Sequence, residues 1–260
     1  MAVVTLISDR KGDDFFLGRL KGQLLSACNN LNIVDLAHNI TQHSVSKASF
    51  ILKNSFKNFP EKTVHLIGVD GECSNTKKHL IAKVSNQYFI AADNGLFSLA
   101  FLPEEIQEII KIESCEHDIP KIPALFRFGK IACEIINGKK IEDFGKRASG
   151  VKRLMGFNPT FGKDYILGHV VYIDSYDNAV TDISHELFMQ ISKGRKFVII
   201  PAIPKYRITK IHNSYHDVKA GELVVIFNSL GLLEIAMYKG NVSQLLSYDL
   251  DTQIRIEFND

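Results

Sequence analysis

The sequence lacks any long apolar run. None approaches the ~18–20 residues that a membrane-spanning helix requires, so no membrane partner is expected. It also lacks a marked excess of either charge. Lys and Arg number 31 against 29 Asp and Glu, a formal net charge of +2, and bulk charge gives no support to a nucleic-acid partner. The basic residues form no long stripe. Their densest clusters, Lys139-Lys140 to Arg147 and Lys152-Arg153, fit a solvated connecting segment. Aromatics flanked by basic residues, which would suit single-stranded nucleic acid, are missing from the C-terminal half. Cysteines number only four, Cys28, Cys73, Cys115 and Cys133. With no C-x-x-C spacing and no nearby paired histidines, they argue against a metal or redox motif, and reduced thiols in a cytoplasmic protein are the expectation. Repeats and low-complexity tracts are absent. The N-terminus has no basic n-region and no small-residue cleavage site, so Met1 to Asp9 reads as a first strand and not as a signal peptide.

What remains is the balance of a globular protein: 260 residues, 45% apolar and 23% charged, long enough for one large domain or two ordinary ones. The first half alternates strand and helix patterns. Val3–Ser8 is a short apolar run. Phe16, Leu20, Leu24, Leu25 and Cys28 recur at helical spacing, and both Cys28 and Cys133 read as core. Asn32–Leu36 is a strand, Ser44–Phe56 a helix with Ser44 as its cap, and Val64–Val69 another buried strand. This β-α-β-α-β order predicts a mainly parallel sheet covered by helices. Ligands of such sheets bind beyond the carboxyl ends of the strands. Asp9 and Asp70 both follow strands there, which makes them a candidate site on position alone. Ile81–Val84 and Tyr88–Ala91 flank Ser85-Asn86-Gln87 as a hairpin, and Asp93-Asn94-Gly95 turns tightly into Leu96–Leu102. Ile131–Ile136 reads as helical, ending near Asn137-Gly138.

After about residue 138 the composition changes. The stretch from Gly138 to Gly162 is rich in Gly, Lys and Arg and without period. We read an α/β domain over 1–145, a linker over 146–164 and an all-β, barrel-like domain over 165–260. The last is built from strands at Tyr165–Ile173, Ala179–Ile183, Phe197–Ile200, Leu223–Phe227, Leu232–Met237 and Gln253–Phe258. Asn241–Leu246 adds a helical turn.

Four stretches carry a resemblance. Asp9-Arg-Lys-Gly-Asp-Asp14-Phe-Phe-Leu-Gly18-Arg-Leu-Lys21-Gly22 has a strand-end Asp, a second Asp five residues on, and an aromatic-x-Gly-x-x-Lys-Gly helix. The others are Ile33-Val-Asp35-Leu-Ala-His38-Asn-Ile40, the run Tyr88 to Leu96 through Asp93-Asn94-Gly95, and Asp174-Ser-Tyr-Asp-Asn178-Ala-Val-Thr181 with a C-terminal Asn228-Ser229-Leu-Gly231 turn. Singly these are weak, since Asp-Asn-Gly is a common turn. Their order and spacing over nearly the whole chain resemble the S-adenosylmethionine hydroxide adenosyltransferases, whose scaffold the fluorinases and chlorinases share. The resemblance implies an S-adenosylmethionine hydrolase that yields adenosine and L-methionine, with no cofactor and no metal. It also implies a homotrimer with active sites between subunits.

The chemistry explains such a residue set. The sulfonium already activates C5′, because methionine departs as a neutral thioether. The protein must therefore position substrate and nucleophile and manage the water. By resemblance, Asp9 grips the ribose diol, as an ionised carboxylate can accept two hydrogen bonds; on sequence alone, capping the following helix is the plainer role. By resemblance, Asp174 and Asn178 match positions that hold the amino-acid end; the segment is also rich in turn formers, and both roles can hold at once. Tyr176 would stack on adenine or simply half-bury in that turn. Asn94 falls in the substrate set, and Asn228 and Ser229 would read the adenine edge or only build their turn. His38 reads as structural, and His43, His65 and His79 have no ligand spacing and receive no role.

The catalytic set departs from the family pattern of Asp, Arg and His. Asp70 keeps the Asp. Lys77 stands where Arg is usual, and the Phe126-Arg127-Phe128-Gly129-Lys130 run puts Arg127 at the His position; Gly71-Glu72-Cys73-Ser74 replaces Pro-Gly-Val-Gly. Two cations beside Asp70 would favour its ionised form and attract hydroxide, yet make it a poorer proton acceptor. The alternative is therefore a catalytically slow or inactive protein that binds S-adenosylmethionine or adenosine. A halogenase fits worse, because a halide needs a dry pocket with few neutral donors.

Overall fold

The computed structural model describes residues 1–74, 77–113 and 124–259; Cys115 lies outside them. Two compact units are present, Met1–Met155 and Gly156–Asp260. The division falls within the stretch read as linker.

The first unit is built on β1 (Ala2–Ser8), α1 (Phe15–Ala27), β2 (Leu31–Ala37), α2 (Val45–Ser55) and β3 (Val64–Gly68). Then follow β4 (His79–Val84), β5 (Gln87–Ala92), α3 (Leu96–Ala100), β6 (Ile106–Ile112), α4 (Ala124–Ile136) and β7 (Gly145–Arg147). Its sheet runs β2-β1-β3-β5-β4-β6-β7. The first four strands pair in parallel and the remaining pairs are antiparallel. Alternation along each strand feeds two cores. Val4, Leu6, Val64 and Leu66 pack with Leu17, Leu20 and Leu24 of α1 and Phe128 of α4. Ile7, Ile67, Phe89 and Ala91 pack with Ala48 and Leu52 of α2 and Phe97 of α3. The helices thus cover the two sheet faces separately, as parallel strands buried on both sides require.

Local signals account for the element ends. Asp14, not Asp9, caps α1, its Oδ1 accepting from Phe16 N–H at 3.0 Å. The buried stripe of α1 is Leu17, Leu20 and Leu24, with Cys28 just beyond its end; Leu17 takes the place expected of Phe16, and Leu25, expected in the stripe, faces solvent. Ser44 sits at the α2 cap but makes no side-chain capping bond. Ser85 and Asn86 both take left-handed backbone, the geometry of a two-residue hairpin turn between β4 and β5.

One expectation is corrected. Cys28 and Cys133 are both in the core, but they are joined as a disulfide across 105 residues and are not reduced thiols. Packing of α1 against α4 brings their Cα atoms to 5.7 Å, within bridging range. No spacing rule could expose a pair so far apart in sequence.

The second unit holds β8 (Thr160–Phe161), β9 (Tyr165–Ile173), β10 (Ala179–Ser184), α5 (His185–Ser192), β11 (Lys196–Pro201), β12 (Leu223–Phe227), β13 (Leu232–Met237), α6 (Val242–Leu246) and β14 (Gln253–Asn259). Its antiparallel sheet runs β11-β14-β9-β10-β13-β12, with β8 beside β9. It is a curled sheet around a main core that includes Ile166, Val225, Ile235 and Ile254, with a smaller cluster of Val224, Ile226 and Ala236. Helix α5, capped by Ser184 Oγ on Leu187 N–H at 3.1 Å, was not anticipated. Among the described residues, no helix is long and apolar enough to cross a membrane.

Candidate active site

The chain leaves β1 for β2 on one side and returns to β3 on the other, so the order reverses between β1 and β3. That reversal opens a crevice at the carboxyl ends of these strands. Asp9 follows β1 there and Asp70 follows β3. Asp9 Oδ2 accepts the Asp70 N–H and the His43 N–H, each at 3.2 Å. One carboxylate oxygen thus gathers three loops, and Oδ1 accepts no hydrogen bond among the described residues.

Asp70 has left-handed backbone, φ 43°, and lines the pocket at this edge. Lys77 Nζ donates to Asp70 Oδ1 at 2.7 Å and to the Asp70 carbonyl at 3.0 Å. His43 Nδ1 lies 3.2 Å from the same Oδ1. Partial burial alone would raise the Asp70 carboxyl, but the hydrogen bond and charge of Lys77, then those of His43, outweigh it and hold the group below the ordinary carboxylate range. Beneath, Asn94 Nδ2 donates to the carbonyls of Val69 and Asp70 at 3.0 and 3.3 Å, and its Oδ1 accepts Leu96 N–H. Asn94 is buried and fixes the backbone that carries Asp70.

A pocket of about 520 Å³ opens here, lined by Asp9, Arg10, Asp14, Gln42, His43, Asp70, Gly71 and Glu72 among others. Its size suits a small molecule. A larger groove of about 750 Å³ lies against β6 and the 148–155 segment. Phe101, Ile106, Val151 and Leu154 dominate it, and its charges are Glu108, Arg147 and Arg153. The smaller pocket presents the Asp70 carboxylate and the His43 imidazole, with the Lys77 ammonium bonded to that carboxylate. Among the described residues no group of three or more His, Cys, Asp or Glu could hold a metal ion.

Arg127, on α4, donates from Nη2 to the Glu113 carbonyl at 2.8 Å and does not line the pocket. His38 is structural as expected: its Nδ1 meets Ser8 Oγ at 2.7 Å and its Nε2 lies 3.1 Å from Asp35. Two histidines passed over on spacing acquire places. His43 touches Asp70. His79 is buried, and its Nε2 meets the Gly71 carbonyl at 2.8 Å. Burial, and then the charges of Arg127 and Lys77, push its imidazole down to about 4 even though the Gly71 bond acts the other way. Its Nε2–H is therefore the donor that pins the start of the Asp70–Lys77 loop. Neither residue carries a spacing signal, because each is delivered by a different loop or strand.

In the second unit, Asp174 Oδ1 accepts from Tyr176 N–H and Asn178 N–H at 2.8 and 2.9 Å, and its Oδ2 accepts from Asn178 Nδ2 at 3.1 Å. This turn presents Tyr176 at 78% exposure. Asn228 Oδ1 accepts from Leu230 and Leu232 N–H, and its Nδ2 donates to buried Glu234. The Asn228 amide is thus occupied by its turn, leaving exposed Ser229 and backbone groups as the open face. Tyr215 donates its hydroxyl to the same Glu234. Burial first, then Glu234 and the charge of Asp174, raise that phenol well above its ordinary range.

The sequence profile described as the SAM hydroxide adenosyltransferase N-terminal domain matches residues 4–145, and that of the corresponding C-terminal domain matches 168–255. A Methanocaldococcus jannaschii protein named (R)-S-adenosyl-L-methionine hydrolase is 24% identical over 98% of this chain and 95% of its own length. A Thermus thermophilus protein of the same name is 24% identical over 98% of this chain and all of its own. Among solved structures, an uncharacterized conserved protein from Thermotoga maritima superposes with a TM-score of 0.82 at 28% identity, covering 98% of this chain and 99% of that one.

Proposed function

The chain belongs to the SAM hydroxide adenosyltransferase family, and from that premise we propose that it hydrolyses S-adenosylmethionine to adenosine and L-methionine. Water attacks C5′ opposite the C–S bond. The bonding pair leaves on sulfur, methionine departs as a neutral thioether, and one water proton is released. The observation that carries this reading is the Asp70 carboxylate, held ionised between Lys77 and His43 at the mouth of a pocket that also presents Asp9.

In this reading Asp70 and Lys77 orient the water, and Asp9 uses its open Oδ1 on the ribose. Asn94 supports the Asp70 backbone, and Arg127 contributes positive potential. Asp174, Tyr176, Asn178, Asn228 and Ser229 supply the substrate contacts that the resemblance assigns to them. No cofactor takes part, because the sulfonium is its own activating group. A homotrimer completes the reading on the strength of the resemblance; the expectation of a cytoplasmic setting rests on reduced cysteines, a ground that the Cys28–Cys133 bridge removes.

Incubation with S-adenosylmethionine, with and without chloride or fluoride, and chromatography of the nucleosides test it. Adenosine above the spontaneous background and independent of halide is expected; a 5′-halo product would make it a halogenase. Binding seen by calorimetry with no product would favour the alternative, a binder whose Lys77 and Arg127 do not serve the reaction.

A further inference from the structure

Among the described residues that line the pocket, His43 alone carries an imidazole. It stands between β2 and α2 with left-handed backbone, φ 63°. Its own N–H on Asp9 Oδ2 fixes it there. The ring is 74% exposed, so it is held at its root and open at its edge. The other described imidazoles of the unit are committed. His65 is buried between Thr5 Oγ1 and Gln87 Oε1 at 2.7 and 2.6 Å, His79 meets the Gly71 carbonyl, and His38 meets Ser8.

The proposed hydrolysis needs an acceptor for one water proton. Lys77 and Arg127 are donors only. Asp70 is tied to Lys77 and is a weak base for that reason, and Asp9, Asp14 and Glu72 are carboxylates, poorly matched to accepting a proton near neutrality. An imidazole is well matched. Arg10 and Lys11 complete the charged groups lining the pocket around it.

Resting on the hydrolase reading above, we propose that His43 is the catalytic base that takes the proton from the attacking water. The water oxygen bonds to C5′ while the C5′–S pair withdraws onto sulfur. One water hydrogen stays as the 5′-hydroxyl of adenosine and the other passes to the ring. In the tautomer whose Nδ1–H points at Asp70, Nε2 holds the accepting lone pair. Asp70 then steadies the imidazolium, as a carboxylate does behind a catalytic histidine, and the exposed ring returns the proton to solvent. The site thus places its imidazole on the β2–α2 connection, away from the α4 position that Arg127 occupies.

The test uses the full chain and S-adenosylmethionine. His43→Gly suits the left-handed backbone, keeps the N–H on Asp9 and empties the ring's space. Turnover should fall about 10²- to 10⁴-fold, while affinity for S-adenosylmethionine changes by less than about threefold. Added imidazole should restore the rate saturably, with more basic methylimidazoles restoring it faster. His43→Asn, which tolerates the same backbone and can donate to Asp70 but cannot serve as the base, should be equally slow. Turnover near wild type in either variant overturns the assignment, as does a loss that imidazole does not repair. A wild-type protein that releases no adenosine fails the hydrolase reading itself and takes this assignment with it, a result distinct from an active wild type with an indifferent His43→Gly.

Discussion

Lys77 Nζ holds Asp70 twice, at Oδ1 at 2.7 Å and at the backbone carbonyl at 3.0 Å. The same ammonium therefore fixes where the carboxylate sits and keeps it charged. The Lys77 N–H on Ser74 Oγ at 3.0 Å secures the root of the lysine.

Replacing Lys77 by Met removes the largest influence that lowers the Asp70 carboxyl against its burial. The carboxyl should move up, and the acid limb of kcat/KM with it, with turnover at neutral pH down about 10-fold or more. Lys77→Arg should retain part of the rate, because charge persists while donor geometry changes. An acid limb that stays in place in Lys77→Met would remove the lysine from control of Asp70.

Asp9 serves both folding and binding. Asp9→Ala deletes the acceptor of two backbone N–H groups and should cost about 1–3 kcal/mol of stability, read from urea melts. It should also weaken S-adenosylmethionine binding by about tenfold or more, at the ~1.4 kcal/mol per decade that losing a charged hydrogen bond can supply. Asp9→Asn retains an acceptor for the loops and should recover stability without recovering affinity. Calorimetry showing wild-type affinity in both variants would take Asp9 out of the ribose site.

Buried His65 and His79 set an acid limit on the fold. Burial pushes each imidazole down from 6.5 to about 4. Above 6.5 both are neutral folded or unfolded, and their environment costs nothing. As the pH falls from 6.5 to about 4, the unfolded chain takes up protons that the native state refuses, so stability is lost across that window. The lowered carboxyls of Asp35 and Asp70 act at still lower pH. Urea midpoints measured at pH 7, 5.5 and 4.5 should fall steadily, and His65→Gln should flatten the slope. A midpoint constant over that range would refute the account.

The Cys28–Cys133 bridge closes a loop across 105 residues. Chain entropy gives such a link about 2–5 kcal/mol. Reduction, or the double change Cys28→Ala with Cys133→Ala, should lower the melting temperature accordingly. Mass spectrometry of the unreduced, denatured protein should find the two cysteines linked. Both thiols free under non-reducing conditions would contradict the bridge.

Much of the architecture is local enough to be read directly. The apolar run at 3–8, the helical spacing of Leu20, Leu24 and Cys28, and the hairpin connection read at Ser85-Asn86-Gln87, which the structure narrows to its first two residues, each depend on residues a few positions apart. Strands β9, β10, β12, β13 and β14 follow the same rule. Helix α5, strand β6 and the short strands β7 and β8 escaped it. Helix α5 is only eight residues long, and its His-Glu-Leu-Phe-Met-Gln-Ile-Ser segment shows little more than two turns of period. Strand β6 alternates weakly and owes its place to β4 and β7 on its two sides.

The sequence by itself determined the element types, the strand ends that carry Asp9 and Asp70, and the family motifs, because backbone period and turn chemistry act over short range. Only the tertiary structure decided what meets what. The order β2-β1-β3 lays Asp9 beside Asp70, the trajectory of the β2–α2 connection delivers His43 to the same carboxylate, His79 reaches back to Gly71, and the packing of α1 on α4 joins Cys28 to Cys133. Such contacts arise from closure of the chain over tens of residues. Spacing within a motif carries no record of them.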